Sequence, residues 1–225
     1  MNNRRDVWRL ADLLQRALFL FEKAGINSPR TDAELLLAHC LSLSRTELYL
    51  RAEDVVGEAQ ADSCLGIFER RCRREPVAYI TGECEFWSQS FEVTPAVLIP
   101  RPETELLIEH VLARDDDFYK QSKCLDLCSG SGIIAIVLAL ELGLELITVE
   151  ISNPALEICR RNCVRHGVEK KVQLIQADLT TCFLENEQFG LITVNPPYVS
   201  RAEIEAGMQP EVIEFEPILA LDGGP

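Results

Sequence analysis

No run of about 18 apolar residues occurs in the sequence, so nothing in it reads as a membrane-spanning helix. A signal-peptide cleavage pattern is also missing, and acidic residues come early, against a transit peptide; the expected location is the cytoplasm. Positive charge is scarce, with 22 Lys and Arg against 36 Asp and Glu, a net charge of −14. The deficit grows along the chain. Residues 1–100 carry 12 basic and 15 acidic side chains, or −3, and residues 101–225 carry 10 and 21, or −11. So acidic a body repels a phosphate backbone, which argues against a stable nucleic-acid partner. The one basic cluster, Arg70-Arg71-Arg73-Arg74, reads as the solvated end of a helix. The nine cysteines include no Cys-x-x-Cys pair, and no histidine stands at zinc-ligand spacing, so no metal site is expected. They read as reduced, small apolar fillers. Repeats and low-complexity segments are absent too.

Hydrophobic residues make up 47% of the 225, enough for a core in one large domain or two small ones. Residues of about 6–24 place Leu10, Leu13, Leu14, Ala17, Leu18 and Phe21 at helical spacing, with Gly25 as a stop. Thr31 or Asp32 caps a second helix through His39, Ser44 a short third to Leu50, and a fourth runs from about Glu58 to Arg73. Four short helices with tight links predict a small bundle over residues 1–75, with His39 as a packed core histidine. Residues 76–100 read as a β-hairpin linker, with Phe86-Trp87 and Phe91-Glu92-Val93 as strands around Ser88-Gln89-Ser90. Pro102 then opens a helix with acids in its first turn, and Asp115-Asp116-Asp117 reads as a solvated link.

From Cys124 onward, strand and helix alternate. Strands are expected at Cys124–Cys128, Leu146–Glu150, Val172–Gln176 and Phe189–Val194, and helices at Ile133–Leu142 and Pro154–His166. Such alternation implies an α/β fold with a parallel sheet covered on both faces, over residues 101–225. Asp126-Leu127-Cys128-Ser129-Gly130-Ser131-Gly132 joins the first strand to its helix. Its glycines allow a tight turn and close ligand approach, and the helix start offers free N–H groups. It is neither a complete dinucleotide fingerprint nor a Walker loop, and a lone Gly-x-Gly is weak evidence. Glu150 ends the second strand, where a carboxylate can accept both hydroxyls of a ribose. Asp178, with Leu179 beside it, follows the third, where an acceptor could read an adenine amino group. After the fourth comes Asn195-Pro196-Pro197-Tyr198. The prolines remove two N–H donors in a row and leave a ledge of acceptors, the Asn195 side-chain oxygen and the Asn195 and Pro196 carbonyls. That ledge suits a planar group carrying NH2, with Tyr198 as an aromatic face beside it. Asn-Pro alone is a common turn opener; three strand-end features in order upstream make coincidence a poor explanation.

The order of Asp-x-x-x-Gly-x-Gly, acid, Asp and Asn-Pro-Pro-Tyr resembles the class I S-adenosylmethionine-dependent methyltransferases that act on NH2 groups. More narrowly, the chain resembles the release-factor glutamine N5-methyltransferases. The likeness runs through Ser28–Leu37, Pro76–Gly82, Glu85-Phe86-Trp87, the Ile99-Pro100-Arg101-Pro102-Glu103-Thr104-Glu105 run, and Glu216–Gly224. The resemblance implies a Rossmann-like sheet with an N-terminal helical bundle, S-adenosylmethionine as cofactor, and a class I peptide chain release factor as substrate for a monomeric enzyme. The methyl acceptor would be the glutamine of its Gly-Gly-Gln loop. Cofactor contacts would then fall to Asp126, Cys128, Ser129, Gly130, Ser131, Gly132, Glu150, Asp178, Leu179 and Asn195. Substrate binding would fall to Asn195, Pro196, Pro197 and Tyr198, with Asn195, Pro196 and Tyr198 catalytic and no dedicated general base. Two departures stand out. Cys128 replaces the usual Gly, which requires φ below zero and a side chain turned away from the cofactor. Glu150 replaces the commoner Asp. The family also continues beyond Gly224 with strands that complete a seven-stranded sheet, so the sequence reads as truncated at its C-terminus, with four strands in the order 3-2-1-4. Rival readings are a nucleic-acid amino-methyltransferase of the adenine N6 type, a ribosomal-protein glutamine methyltransferase, and an inactive fragment acting as a binding module.

Overall fold

A computed structural model describes residues 7–114, 119 and 122–224. The expected link at Asp115-Asp116-Asp117 lies outside the described residues. The chain forms two compact units, Met1–Thr81 and Gly82–Pro225. No helix among the described residues is long and apolar enough to cross a membrane.

The first unit contains α1 (Leu10–Lys23), α2 (Pro29–Leu41), α3 (Arg45–Leu50), α4 (Glu58–Cys72) and α5 (Val77–Thr81). Leu10, Leu13, Ala17 and Phe21 recur at helical spacing on α1 and are buried. Phe21 meets Phe68 of α4 edge to face, ring centroids 5.8 Å apart. Ser44 and Glu47 close a reciprocal capping box at the start of α3. The bundle also buries charge. Glu34 accepts hydrogen bonds from Tyr49, Arg45 and Arg30, which hold its carboxyl down to about 2. The basic run ends α4 and leaves Arg73 exposed, as its composition suggested, but its other arginines are held by partners. Arg71 is buried and pairs with Asp32 at 2.8 Å, Arg70 pairs with Glu75, and Arg74 donates to the Gly25 carbonyl at 2.7 Å. His39, expected in the core, is exposed on the outer side of α2.

The second unit opens with the hairpin of β1 (Glu83–Phe86) and β2 (Gln89–Glu92). Phe86 pairs with Gln89, so the turn is the two residues Trp87-Ser88, both at positive φ, and not Ser88–Ser90. Long-range bonds hold this unusual Trp: its backbone N–H donates to Glu105 at 2.8 Å and its indole to Glu141 at 3.0 Å. Phe86 and Phe91 lie in the core that α6 (Glu105–Leu112), α7 (Ile133–Glu141) and α8 (Asn153–Arg165) form on one face of the main sheet. A 3-10 turn at Pro102–Thr104 leads into α6.

The main sheet comprises β3 (Cys124–Leu127), β4 (Leu146–Glu150), β5 (Val172–Gln176) and β6 (Leu191–Val194), all parallel, in the order β5-β4-β3-β6. That is the expected 3-2-1-4. Seven consecutive residues of α7, Ile133 to Ala139, are buried, making it the central helix. The opposite face carries Leu125, Leu127 and Val149, packed by Phe183 and Phe189 from the loop before β6. Ile192 and Val194 of the edge strand β6 are exposed. Short α9 (Arg201–Gly207) and α10 (Pro210–Phe215) and a 3-10 turn at Ile218–Ala220 follow.

Candidate active site

The four parallel strands end together, and such sheets bind ligands in the crevice beyond their carboxyl ends. A cavity of about 380 Å³ lies there. Its walls come from every strand end. Cys128, Ser129, Gly130 and Ser131 follow β3; Glu150, Ile151 and Ser152 close β4; Ala177, Asp178 and Leu179 follow β5; Asn195, Pro196 and Pro197 follow β6. Two further stretches complete it: Ala96 to Leu98 with Pro100, Arg101 and Thr104, and Pro217, Leu219, Ala220 and Gly223 of the tail.

Backbone conformation shapes the turn after β3. Gly132 has φ +83°, and a Cβ there would sit 2.4 Å from the Cys159 sulfur, so only glycine lets α7 start against α8. Cys128 has φ +57°, which overturns the condition that a Cys at this position keeps φ below zero. The residue lines the cavity and packs against the Leu125, Leu127 and Val149 cluster. Burial and the charges of Glu150, Asp126 and Asp178 push its thiol up, so it stays protonated.

Glu150 is buried at the end of β4. One carboxylate oxygen accepts from Gly130 N and the other from Ser152 N, both at 2.9 Å. Each oxygen retains a second lone pair. Across the cavity wall, the Asn195 side chain donates from Nδ2 to Thr104 Oγ1 at 3.4 Å. Among the described residues neither Asn195 Oδ1 nor the Pro196 carbonyl meets a protein donor, so both acceptors are left for a ligand. The tail fixes the segment that follows. Val199 N donates to Leu221 O and Gly223 N to Val199 O, each at 3.0 Å. Glu216, itself buried, pairs with Arg101 and accepts from Ile99 N at 3.2 Å.

Asp126 is fully buried below the turn. Its register partners are Thr148 on β4 and Thr193 on β6, so three polar side chains cross the sheet in a row. Thr193 donates to Asp126 Oδ1 at 2.7 Å, while Asp126 Oδ2, Thr148 Oγ1 and Ser129 Oγ have no partner among the described residues. Burial, with the charge of Glu150, pushes the Asp126 carboxyl up to about 7.

Residues 12–82 match the PrmC N-terminal domain, and residues 102–218 match the methyltransferase small domain. The release factor glutamine methyltransferase of Chlorobaculum tepidum is 40% identical over 223 residues, covering 96% of this chain and 76% of that protein. The one of Geobacter sulfurreducens is 37% identical over 225 residues, covering 100% and 77%. The chain belongs to the release factor glutamine methyltransferase family. Escherichia coli K12 has a protein of the same name, 38% identical over 195 residues, covering 86% of this chain and 68% of that protein. As a member of this family the chain is an S-adenosylmethionine-dependent methyltransferase.

Of the residues singled out in the sequence, Cys128, Ser129, Gly130, Ser131, Glu150, Asp178, Leu179, Asn195, Pro196 and Pro197 come together in the one cavity. Asp126, Gly132 and Tyr198 do not line it. Asp126 lies beneath the turn, Gly132 closes it at the start of α7, and Tyr198 is 76% exposed. Sequence reasoning quoted the Ile99–Glu105 run and the Glu216–Gly224 tail for their family likeness but gave them no place in the site. Both are walls of it, and the Arg101–Glu216 pair joins them. The run's specificity to this family was the signal available.

Proposed function

We propose that this family member methylates the side-chain nitrogen of a glutamine, the one in the Gly-Gly-Gln loop of a class I peptide chain release factor. A single observation carries the reading. Asn195 and Pro196, whose Oδ1 and carbonyl meet no protein donor among the described residues, line one cavity with the buried strand-end carboxylate Glu150.

The cavity fits the cofactor. Its volume lies in the range of small-molecule sites, about 300–1,000 Å³, and Ile133, Val149 and Leu179 give it apolar walls. Glu150 has lone pairs free for two ribose hydroxyls, and Asp178 is exposed at the position that would meet an adenine amine. When bound, S-adenosylmethionine supplies an electrophilic sulfonium methyl. The remaining difficulty is the acceptor, because a carboxamide nitrogen delocalises its lone pair into the carbonyl. Asn195 Oδ1 and Pro196 O accept its two N–H groups, hold the nitrogen in place and favour its pyramidalisation. Orientation of this kind is worth up to about 7–11 kcal/mol. Both acceptors also stabilise the positive charge that develops on nitrogen. Pro197 packs on the amide plane, and Tyr198 offers its exposed ring to the incoming loop. The proton leaves to water.

The test is substrate choice. The protein is incubated with methyl-labelled cofactor and, in separate reactions, a class I release factor, a ribosomal protein rich in glutamine, and duplex or single-stranded nucleic acid. Label on the release factor alone is expected. Label on nucleic acid would overturn the reading in favour of an amino-methyltransferase of bases.

A further inference from the structure

Asn195 has its backbone fixed from both sides, by β6 before it and two prolines after it, but its side-chain amide is not fixed by that alone. The terminal torsion of an asparagine is broad and two-fold, so the same backbone can present either oxygen or NH2 to a ligand. An NH2 facing an incoming carboxamide NH2 would set donor against donor. Among the described residues the side-chain amide has one partner: Nδ2 donates to Thr104 Oγ1 at 3.4 Å, which leaves Oδ1 as the end without one. Thr104 is buried, and its own backbone is locked by a bond from its N–H to the Arg101 carbonyl at 3.0 Å. The turn that carries it is pinned at both ends. Arg101 and Ile99 are held by Glu216, and Glu105 accepts from the Trp87 N–H. The hydroxyl is thus presented by a rigid frame, as a positioning group requires.

From this we infer that Thr104 is a positioning residue for methyl transfer: by accepting from Asn195 Nδ2 it turns Asn195 Oδ1 toward the acceptor nitrogen. The inference rests on the glutamine-methylating reading above. It also gives the threonine of the Arg-Pro-Glu-Thr-Glu run a chemical task separate from the structural tasks of its arginine and last glutamate.

The test compares T104V, T104A and T104S with the native protein, using S-adenosylmethionine and a class I release factor. T104V keeps the shape and replaces the hydroxyl by a methyl; T104A removes both hydroxyl and methyl; T104S keeps the hydroxyl and loses the methyl. Valine and alanine are expected to lower kcat by about tenfold, the consequence of losing one orienting hydrogen bond, while the KM for the cofactor stays at its native value. Serine is expected to recover most of the rate. Native kcat in T104A, or a T104S as slow as T104A, would overturn the inference, since a packing role tracks the methyl and not the hydroxyl. A native protein that labels no release factor would instead remove the functional reading beneath it, and the native control shows that separately.

Discussion

Replacing Asp126 by Asn should stabilise the protein above neutral pH, and the size of the effect follows from where the carboxyl sits. Its ordinary value is 3.8; burial in the centre of the sheet, with Glu150 nearby, raises it to about 7, against the opposing bond from Thr193. Between about pH 4 and 7 the unfolded chain has therefore lost a proton that the folded protein keeps. The folded state binds more protons, so its stability falls as pH rises through that window and levels off above the folded value. Linkage gives about 1.4 kcal/mol per unit, hence at most about 4 kcal/mol across the window. Asparagine keeps the oxygen that accepts from Thr193 and carries no charge. Urea unfolding of the native and D126N proteins, from about pH 5 to 8, isolates the effect, because other titrating groups cancel in the difference. The expected difference is small at the acid end and grows to a few kcal/mol in favour of D126N at the alkaline end. A pH-independent difference, or a native protein more stable than D126N at about pH 8, would refute the placement of a protonated carboxyl under the site.

Four further substitutions, at three positions, address the cavity. N195A should abolish methyl transfer while cofactor affinity, measured by calorimetry, stays within about tenfold, since a lost acceptor for a buried N–H and its orientation fall on the chemical step. E150A should weaken cofactor binding by roughly 1.5–3 kcal/mol, and saturating cofactor should restore most of the rate; a rate that stays low would show another role for this carboxylate. C128G should fold and bind cofactor at least as well as the native protein. C128V, a β-branched side chain at φ +57°, should lose about 1–3 kcal/mol in thermal or urea unfolding, and equal stability of the two would contradict the left-handed backbone there.

The parts legible in the sequence were those set by local pattern. β4 and β5 appear with the limits that their apolar runs suggested, Ser44 caps α3, and the parallel sheet follows from strand-helix alternation, while its order was what the family resemblance implied. Asn195, Glu150 and Asp178 meet because all three stand at carboxyl ends of parallel strands, which topology alone brings together. What the sequence hid depends on partners distant in the chain. Arg71 is buried because Asp32 lies 39 residues away, and Trp87 tolerates positive φ because Glu105 and Glu141 hold it. Glu216 reaches back 115 residues to Arg101, so neither segment announces itself as a wall. Cys128 misled in another way. Its side chain argued for φ below zero, but the tight turn into α7 sets φ regardless of which residue fills it.

The central claim is that the Asn195–Pro196 ledge presents a carboxamide NH2 for methylation. Fragmentation mass spectrometry of the release factor after one round of reaction tests it most directly. The account predicts a single added methyl on the side-chain nitrogen of the Gly-Gly-Gln glutamine, and none when N195A replaces the native enzyme. A methyl on any other atom, or an undiminished yield from N195A, would contradict it.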